Sequence, residues 1–123
     1  MLDKYDIEKI EKINSDFAYM HESYTSKESQ TYNAYLNIFK NTTSDGFLKK
    51  KEKELIAVGI SVCINCEPCA VWHIREALKA GANEDQIFEA IEVATEMGGG
   101  PTVVRSSFAL KVIEYFMRNQ KSR

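Results

Sequence analysis

From Leu55 to Ile64 the chain carries almost no polar side chain, and two residues later it reads Cys66-Glu67-Pro68-Cys69. No other stretch limits the fold as much. Ten residues is long for a strand, and the charged lead-in from Lys49 to Glu54 consists of helix formers. The run is therefore expected to be a helix buried on most sides. Pro68 has no N–H and suits the first turn of a helix, where none is needed. A second helix should then begin at the cysteines. Two helices joined so tightly run antiparallel, so the expectation is a helical hairpin with C-x-x-C at the N-terminus of its second arm.

The rest of the chain reads as helices of the same kind. Ile7, Ile10, Asn14, Phe17, His21 and Tyr24 recur at three- and four-residue steps, which predicts an amphipathic helix over 4–24. His21 lies on that stripe and is assigned a structural role. Thr25 with Glu28 has the form of a capping box for a second helix, whose buried face would be Tyr32, Tyr35, Leu36 and Phe39. Asn41 to Gly46 lacks periodicity and reads as a loop. Lys49 to Glu54 reads as a solvated first turn. Within it, Glu54 shares a face with Val58 and Ser61 and can point inward, whereas Lys50 and Lys53 are expected to point out.

Gly81 is placed to close the cysteine-bearing helix, and Asn83 with Gln86 to cap the next. Ile87, Ala90, Ile91, Ala94 and Met97 give that helix its stripe. Gly98 to Gly100 breaks the chain and reads as a tight turn rather than an anion site. Pro101 restarts a last helix carrying Val104, Phe108, Val112, Ile113 and Phe116. No strand signal emerges. The expectation is an all-α bundle of about six helices, forming one domain over 1–123.

Charge and hydropathy narrow the function. A formal net charge of −2 gives no reason to expect nucleic acid. No apolar stretch reaches the roughly 18 residues a membrane span needs. Met1 to Asn14 is charged throughout and lacks the apolar core of a signal peptide, so a cytoplasmic location is expected. Three cysteines in that compartment point to redox or metal chemistry, not structural staples.

In a helix starting at the cysteines, His73 lies one turn past Cys69 and two past Cys66. At about 100° per residue all three share one stripe. Thiols at this spacing can close a disulfide across the first helical turn, and the positive end of the helix favours a thiolate. On that ground alone Cys66, nearer the helix start, is the more acidic thiol. Cys63 adds a rival pattern, C-x-x-C-x-x-C followed by His73, which could hold zinc or an iron–sulfur cluster. Helical ligands so closely spaced would fan over about 120°, which suits a tetrahedron poorly. Cys63 is read as a small buried hydrophobe, and no metal or cofactor is expected. Trp72 is read as packing in the core or at a subunit interface. Ala77 and Ala80 continue the Cys–His stripe with small side chains that allow close helix approach.

These residues resemble the alkylhydroperoxidase D-like proteins of the carboxymuconolactone decarboxylase superfamily. The matching pattern runs from Lys51-Glu52-Lys53-Glu54-Leu55-Ile56 through Cys66-Glu67-Pro68-Cys69, His73 and Gly81-Ala82. It continues through Ile87-Phe88-Glu89-Ala90 to Met97-Gly98-Gly99-Gly100-Pro101, so it covers roughly 48–105. The resemblance implies an all-helical fold and a homo-oligomer, a trimer or hexamer. It implies that Cys69 attacks a hydroperoxide, that Cys66 resolves the product to a disulfide, and that Glu54 and His73 relay protons. A dithiol reductant or lipoyl-type adaptor protein would reset the pair. Some members carry a histidine just before the second cysteine, where this chain has Pro68. Generic dithiol–disulfide exchange therefore stays open beside peroxide reduction. A lactone decarboxylase, which needs no redox cysteines, and a non-enzymatic metal-binding or assembly module are the alternatives.

Overall fold

A computed structural model describes residues 1–121, with side chains through residue 119. Among the described residues there are six helices and no strand: α1 (Lys4–Ser26), α2 (Gln30–Thr43), α3 (Lys50–Cys63), α4 (Glu67–Lys79), α5 (Glu84–Gly98) and α6 (Gly100–Lys121). The expected all-α architecture and the C-x-x-C hairpin, α3 against α4, are both present. None of these helices is long and apolar enough to cross a membrane.

Three of the connections are so short because one device serves them. At the end of α3, Asn65 takes a left-handed φ of 58°. The Cys66 N–H then reaches back to the Ser61 carbonyl at 3.0 Å. This is the six-to-one bond of a Schellman motif. Cys66 is at the same time the N-cap of α4, so the chain reverses around two residues. Gly81 (φ 102°) does the same after α4. There the Ala82 N–H bonds the Ala77 carbonyl, and Asn83 and Gln86 form the expected capping box of α5.

The device also explains where the sequence reading of the first turn fails. Thr25 and Glu28 do not cap α2. α1 continues through Ser26, Glu28 takes the left-handed position (φ 52°) and the Ser29 N–H bonds the Tyr24 carbonyl. The cap is therefore Ser29, whose Oγ accepts from the Tyr32 N–H at 3.1 Å. A glutamate in the left-handed region gives no sequence signal of the kind glycine gives. The expected loop also starts later, since α2 runs on through Thr43.

The core lies where α3, α4, α5 and α6 meet. Val58, Val71, Ile74, Ile87 and Val112 are fully buried there, and Ile10 joins them from α1. Between α5 and α6, Gly99 adopts φ 73° and ψ −162°, a conformation open essentially to glycine alone. α1 is tied to α6 by Asp6 and Lys111 at 2.8 Å. That contact holds the Asp6 carboxyl below its ordinary range and the Lys111 ammonium above its own.

Several residues expected on buried faces lie outside. His21, Tyr24, Tyr35, Met97 and Val104 are exposed. Near its end α1 meets α2: Tyr24 stacks on Tyr32 at 4.7 Å, and His21 Nδ1 pairs with the Tyr32 hydroxyl at 2.6 Å. Nor is α3 buried on most sides. Ile56, Ile60 and Ile64, one turn apart, form an exposed apolar edge.

Ile74, at the centre of α4, has no exposed surface. Ile74→Ala should lower the unfolding free energy by about 2–5 kcal/mol, through lost transfer energy and the cavity left behind. Tyr19→Ala, on the exposed face of α1, should stay within about 0.5 kcal/mol. Urea melts of the two variants beside the parent check this.

Candidate active site

The site is assembled across the α3–α4 hairpin. Cys66 and Cys69 form a disulfide at the head of α4, with Cα atoms 5.2 Å apart. The backbone N–H of Cys69 donates to Cys66 Sγ at 3.2 Å. Cys66 thus caps the helix through sulfur, in the place that serine or asparagine usually takes. Pro68 sits in the first turn, as its missing N–H requires.

One turn further along α4, His73 faces α3. Its Nδ1 lies 2.8 Å from Glu54 Oε2. The Glu54 side chain has no exposed surface, while that of His73 is 21% exposed. With Glu54 as a carboxylate, which can only accept, the imidazole carries its proton on Nδ1 and donates it there. That leaves Nε2 as the nitrogen that can exchange a proton with its surroundings.

Glu54 has a second partner that the sequence reading put in solvent. Lys50 Nζ lies 3.3 Å from Glu54 Oε1, so each carboxylate oxygen has one cationic or N–H partner. The signal was available: Lys50 and Glu54 are four residues apart on one helix, the spacing at which side chains meet. Lys53 does turn away from the site, donating to the Ser44 carbonyl at 2.7 Å.

Aromatic side chains close the flank. The Phe39 ring of α2 lies 6.4 Å from the His73 ring and 5.9 Å from Trp72. Trp72 is also held edge-on by Phe17 at 5.2 Å and covered by the Arg75 guanidinium at 4.5 Å. It packs within the chain, binding α1 and α2 to α4 beside the site. Ala77 is fully buried on the Cys–His stripe and lets α4 sit close to its neighbours.

Cys63 points elsewhere. Its Sγ donates to the Ala94 carbonyl of α5 at 3.4 Å, in a half-buried setting. Among the described residues no three His, Cys, Asp or Glu side chains converge as a metal site would require. The C-x-x-C-x-x-C pattern therefore divides into a disulfide and a separate packed thiol.

Comparison with known proteins places this arrangement in a family. The carboxymuconolactone decarboxylase family matches residues 29–112. The chain belongs to that family. The match runs from the start of α2 into α6 and takes in Glu54, Cys66, Cys69 and His73. A carboxymuconolactone decarboxylase family protein from Legionella pneumophila superposes with a TM-score of 0.83 at 29% identity, covering 88% of this chain and 96% of that one. Another from Thermotoga maritima has a TM-score of 0.82 at 23% identity, over 90% and 94% of the two chains. In sequence, an uncharacterised protein from Cupriavidus necator is 32% identical over 88% of this chain and 89% of its own. An uncharacterised protein from the cox locus of Paracoccus denitrificans is 38% identical over 66% and 73%. The six-helix architecture is thus the family fold.

The Glu54 contact fixes the His73 tautomer, which ¹⁵N chemical shifts of the imidazole can read. The parent should show a proton on Nδ1. In Glu54→Ala the Nδ1 resonance should move toward a mixture that includes the Nε2–H form. An unchanged spectrum would mean that the carboxylate does not hold the ring.

Proposed function

We propose that this protein is a thiol-dependent hydroperoxide reductase or dithiol–disulfide oxidoreductase, with Cys66 and Cys69 as the redox pair and His73 and Glu54 as its proton relay. One observation carries the reading: an imidazole fixed by a buried carboxylate stands one helical turn from a disulfide at a helix N-terminus. A free thiol titrates near 8.5, so only a few per cent is thiolate at neutral pH. An oriented imidazole that accepts the proton raises that fraction.

In the reduced protein, His73 Nε2 takes the proton of Cys69. The thiolate attacks one peroxide oxygen, the O–O bond breaks, and the alkoxide leaves as an alcohol with a proton returned by His73. Cys69 is then a sulfenic acid. The Cys66 thiol attacks it, the S–S bond forms, and hydroxide leaves as water with the proton that Cys66 gives up. A dithiol, free or carried on a lipoyl-type adaptor protein, restores the two thiols and is itself oxidised. This cycle belongs in a reducing compartment, and a cytoplasmic location is part of the proposal.

One equivalent of organic hydroperoxide added to the reduced protein should yield the Cys66–Cys69 disulfide on peptide mapping, with loss of the peroxide. Cys69→Ser should abolish the reaction. His73→Ala should slow it by roughly 10²–10⁴-fold, the usual weight of a positioned acid–base group. Glu54→Gln should slow it less. Free thiols persisting beside unconsumed peroxide would sink the reading.

A homo-oligomer, trimer or hexamer, is proposed as well. Ile56 and Ile60 on α3, Ile64 at its C-cap, and Val93 and Met97 on α5 are exposed on two helices that pack side by side. Apolar patches of this kind mark interaction surfaces. Light scattering on the eluting protein should give three or six times the 14.0 kDa chain mass. Ile60→Glu should lower that number, and a 14 kDa species at every concentration would refute the assembly.

A further inference from the structure

The two sulfurs of the disulfide face different surroundings. Past Cys69, α4 leads to His73 and Glu54. Cys66 instead opens onto a shallow crevice between the α3–α4 turn and α6, which Cys69 does not line. Its walls include Val62, Ala70 and Phe108, and its charged groups are Glu67 and Arg105. The roomier depression on this protein, over the start of α3, touches neither sulfur.

The charges of the crevice do not cancel. Glu67 is ion-paired with Lys9 of α1, whose ammonium also lies 4.6 Å from the Phe108 ring centre. That pair is locally neutral. Arg105 donates from Nε to the Pro101 carbonyl at 3.2 Å and from a terminal nitrogen to Thr102 Oγ1 at 3.3 Å. Both acceptors are uncharged. They orient the guanidinium without neutralising it, so the crevice presents one net positive charge beside Cys66.

We propose that the reducing thiol approaches over the rim of this crevice, that Cys66 is the sulfur it attacks, and that Arg105 selects thiols carrying an anionic group. The inference rests on Cys66–Cys69 being a working redox pair. The reductant attacks as a thiolate, its proton released to water while His73 Nε2 takes one up from water; its sulfur bonds to Cys66 Sγ, the S–S bond breaks, and Cys69 leaves as a thiolate that takes that proton from His73. A second thiolate then attacks the sulfur of the first reductant. Cys66 leaves as a thiolate toward the Cys69 N–H, which already points at its sulfur, and takes up a proton from water. Two reductant thiols become one disulfide, and the protein disulfide becomes two thiols. Each leaving sulfur has a group in place to receive its charge, and exchange rates depend on both the leaving group and access.

The test uses the oxidised full-length chain and three small monothiols: 2-mercaptoethanol, 2-mercaptoethanesulfonate and 2-mercaptoethylamine. Rates of disulfide loss are normalised to thiolate concentration. The ratio of the sulfonate rate to the ammonium rate should be roughly three- to tenfold higher in the parent than in Arg105→Gln, the range expected when one nearby charge attracts one ligand and repels the other by about 0.5 kcal/mol each in water-like surroundings. Arg105→Lys should restore most of the preference, and raised ionic strength should erase it. Quenching with N-ethylmaleimide during the reaction should leave the mixed disulfide on Cys66 and the alkyl group on Cys69, assigned by fragment-ion mass spectrometry. A mixed disulfide on Cys69, or a rate ratio indifferent to Arg105, overturns this inference alone. Failure of every thiol to reduce the pair overturns the redox reading with it.

Discussion

The site depends on one buried carboxylate. Glu54 has no exposed side-chain surface. An unpaired carboxylate in that position would be far too costly to keep ionised. Here one oxygen receives the His73 ring and the other faces Lys50, whose remaining length reaches solvent. Loss of either partner leaves part of a buried charge uncompensated, which is the expensive way to break such a pair. The contact also fixes the geometry of the hairpin. Glu54 lies ten residues before the cap of α3 and His73 seven after the cap of α4, about 15 Å and 10.5 Å along their helices at 1.5 Å per residue. They meet only because the Asn65–Cys66 turn is so short that the two arms stay in register.

Cys66 therefore has three duties, and they constrain one another. It supplies the backbone N–H that ends α3, the side chain that caps α4, and one sulfur of the disulfide. A longer loop would free it from the first duty and let α4 slide along α3. His73 would then lose Glu54, because that bond bridges the two helices, whereas the contacts at the turn are local. Fold and chemistry share the same few residues here.

Much of this was legible in the sequence for the same reason that it is stable. Pro68, Gly81, Asn83 and Gln86 each do something that few other residues can do, and each stands where the chain pattern placed it. The inward turn of Glu54 followed from its spacing to Val58 and Ser61. Lys50 was missed because a lysine in a charged run usually faces water, and only the carboxylate beside it makes the exception. The Ser29 cap was missed because Glu28 holds a conformation for which glutamate gives no hint. The exposed edge of α3 was misread for a deeper reason. Ile56, Ile60 and Ile64 look the same in sequence whether they face the chain's own core or another surface. Periodicity reports which sides are apolar, not what covers them.

Pro68 limits what can serve the two sulfurs in the proposed cycle. Some alkylhydroperoxidase D-like proteins carry a histidine at this position, and proline has no proton to give or take. Cys66 must then be served by something other than a side chain. The Cys69 N–H already fills that place, 3.2 Å from its sulfur, with the positive end of α4 behind it. A fixed dipole stabilises an anion without exchanging a proton. It suits a sulfur that only has to leave or attack, and it suits poorly one that must shed a proton first. His73, with Nδ1 held by Glu54, suits the second task. With proline beside Cys69, the proposed cycle rests its acid–base work on His73 and holds Cys66 by a fixed dipole, an asymmetry that the crevice beside Cys66 extends to the surface.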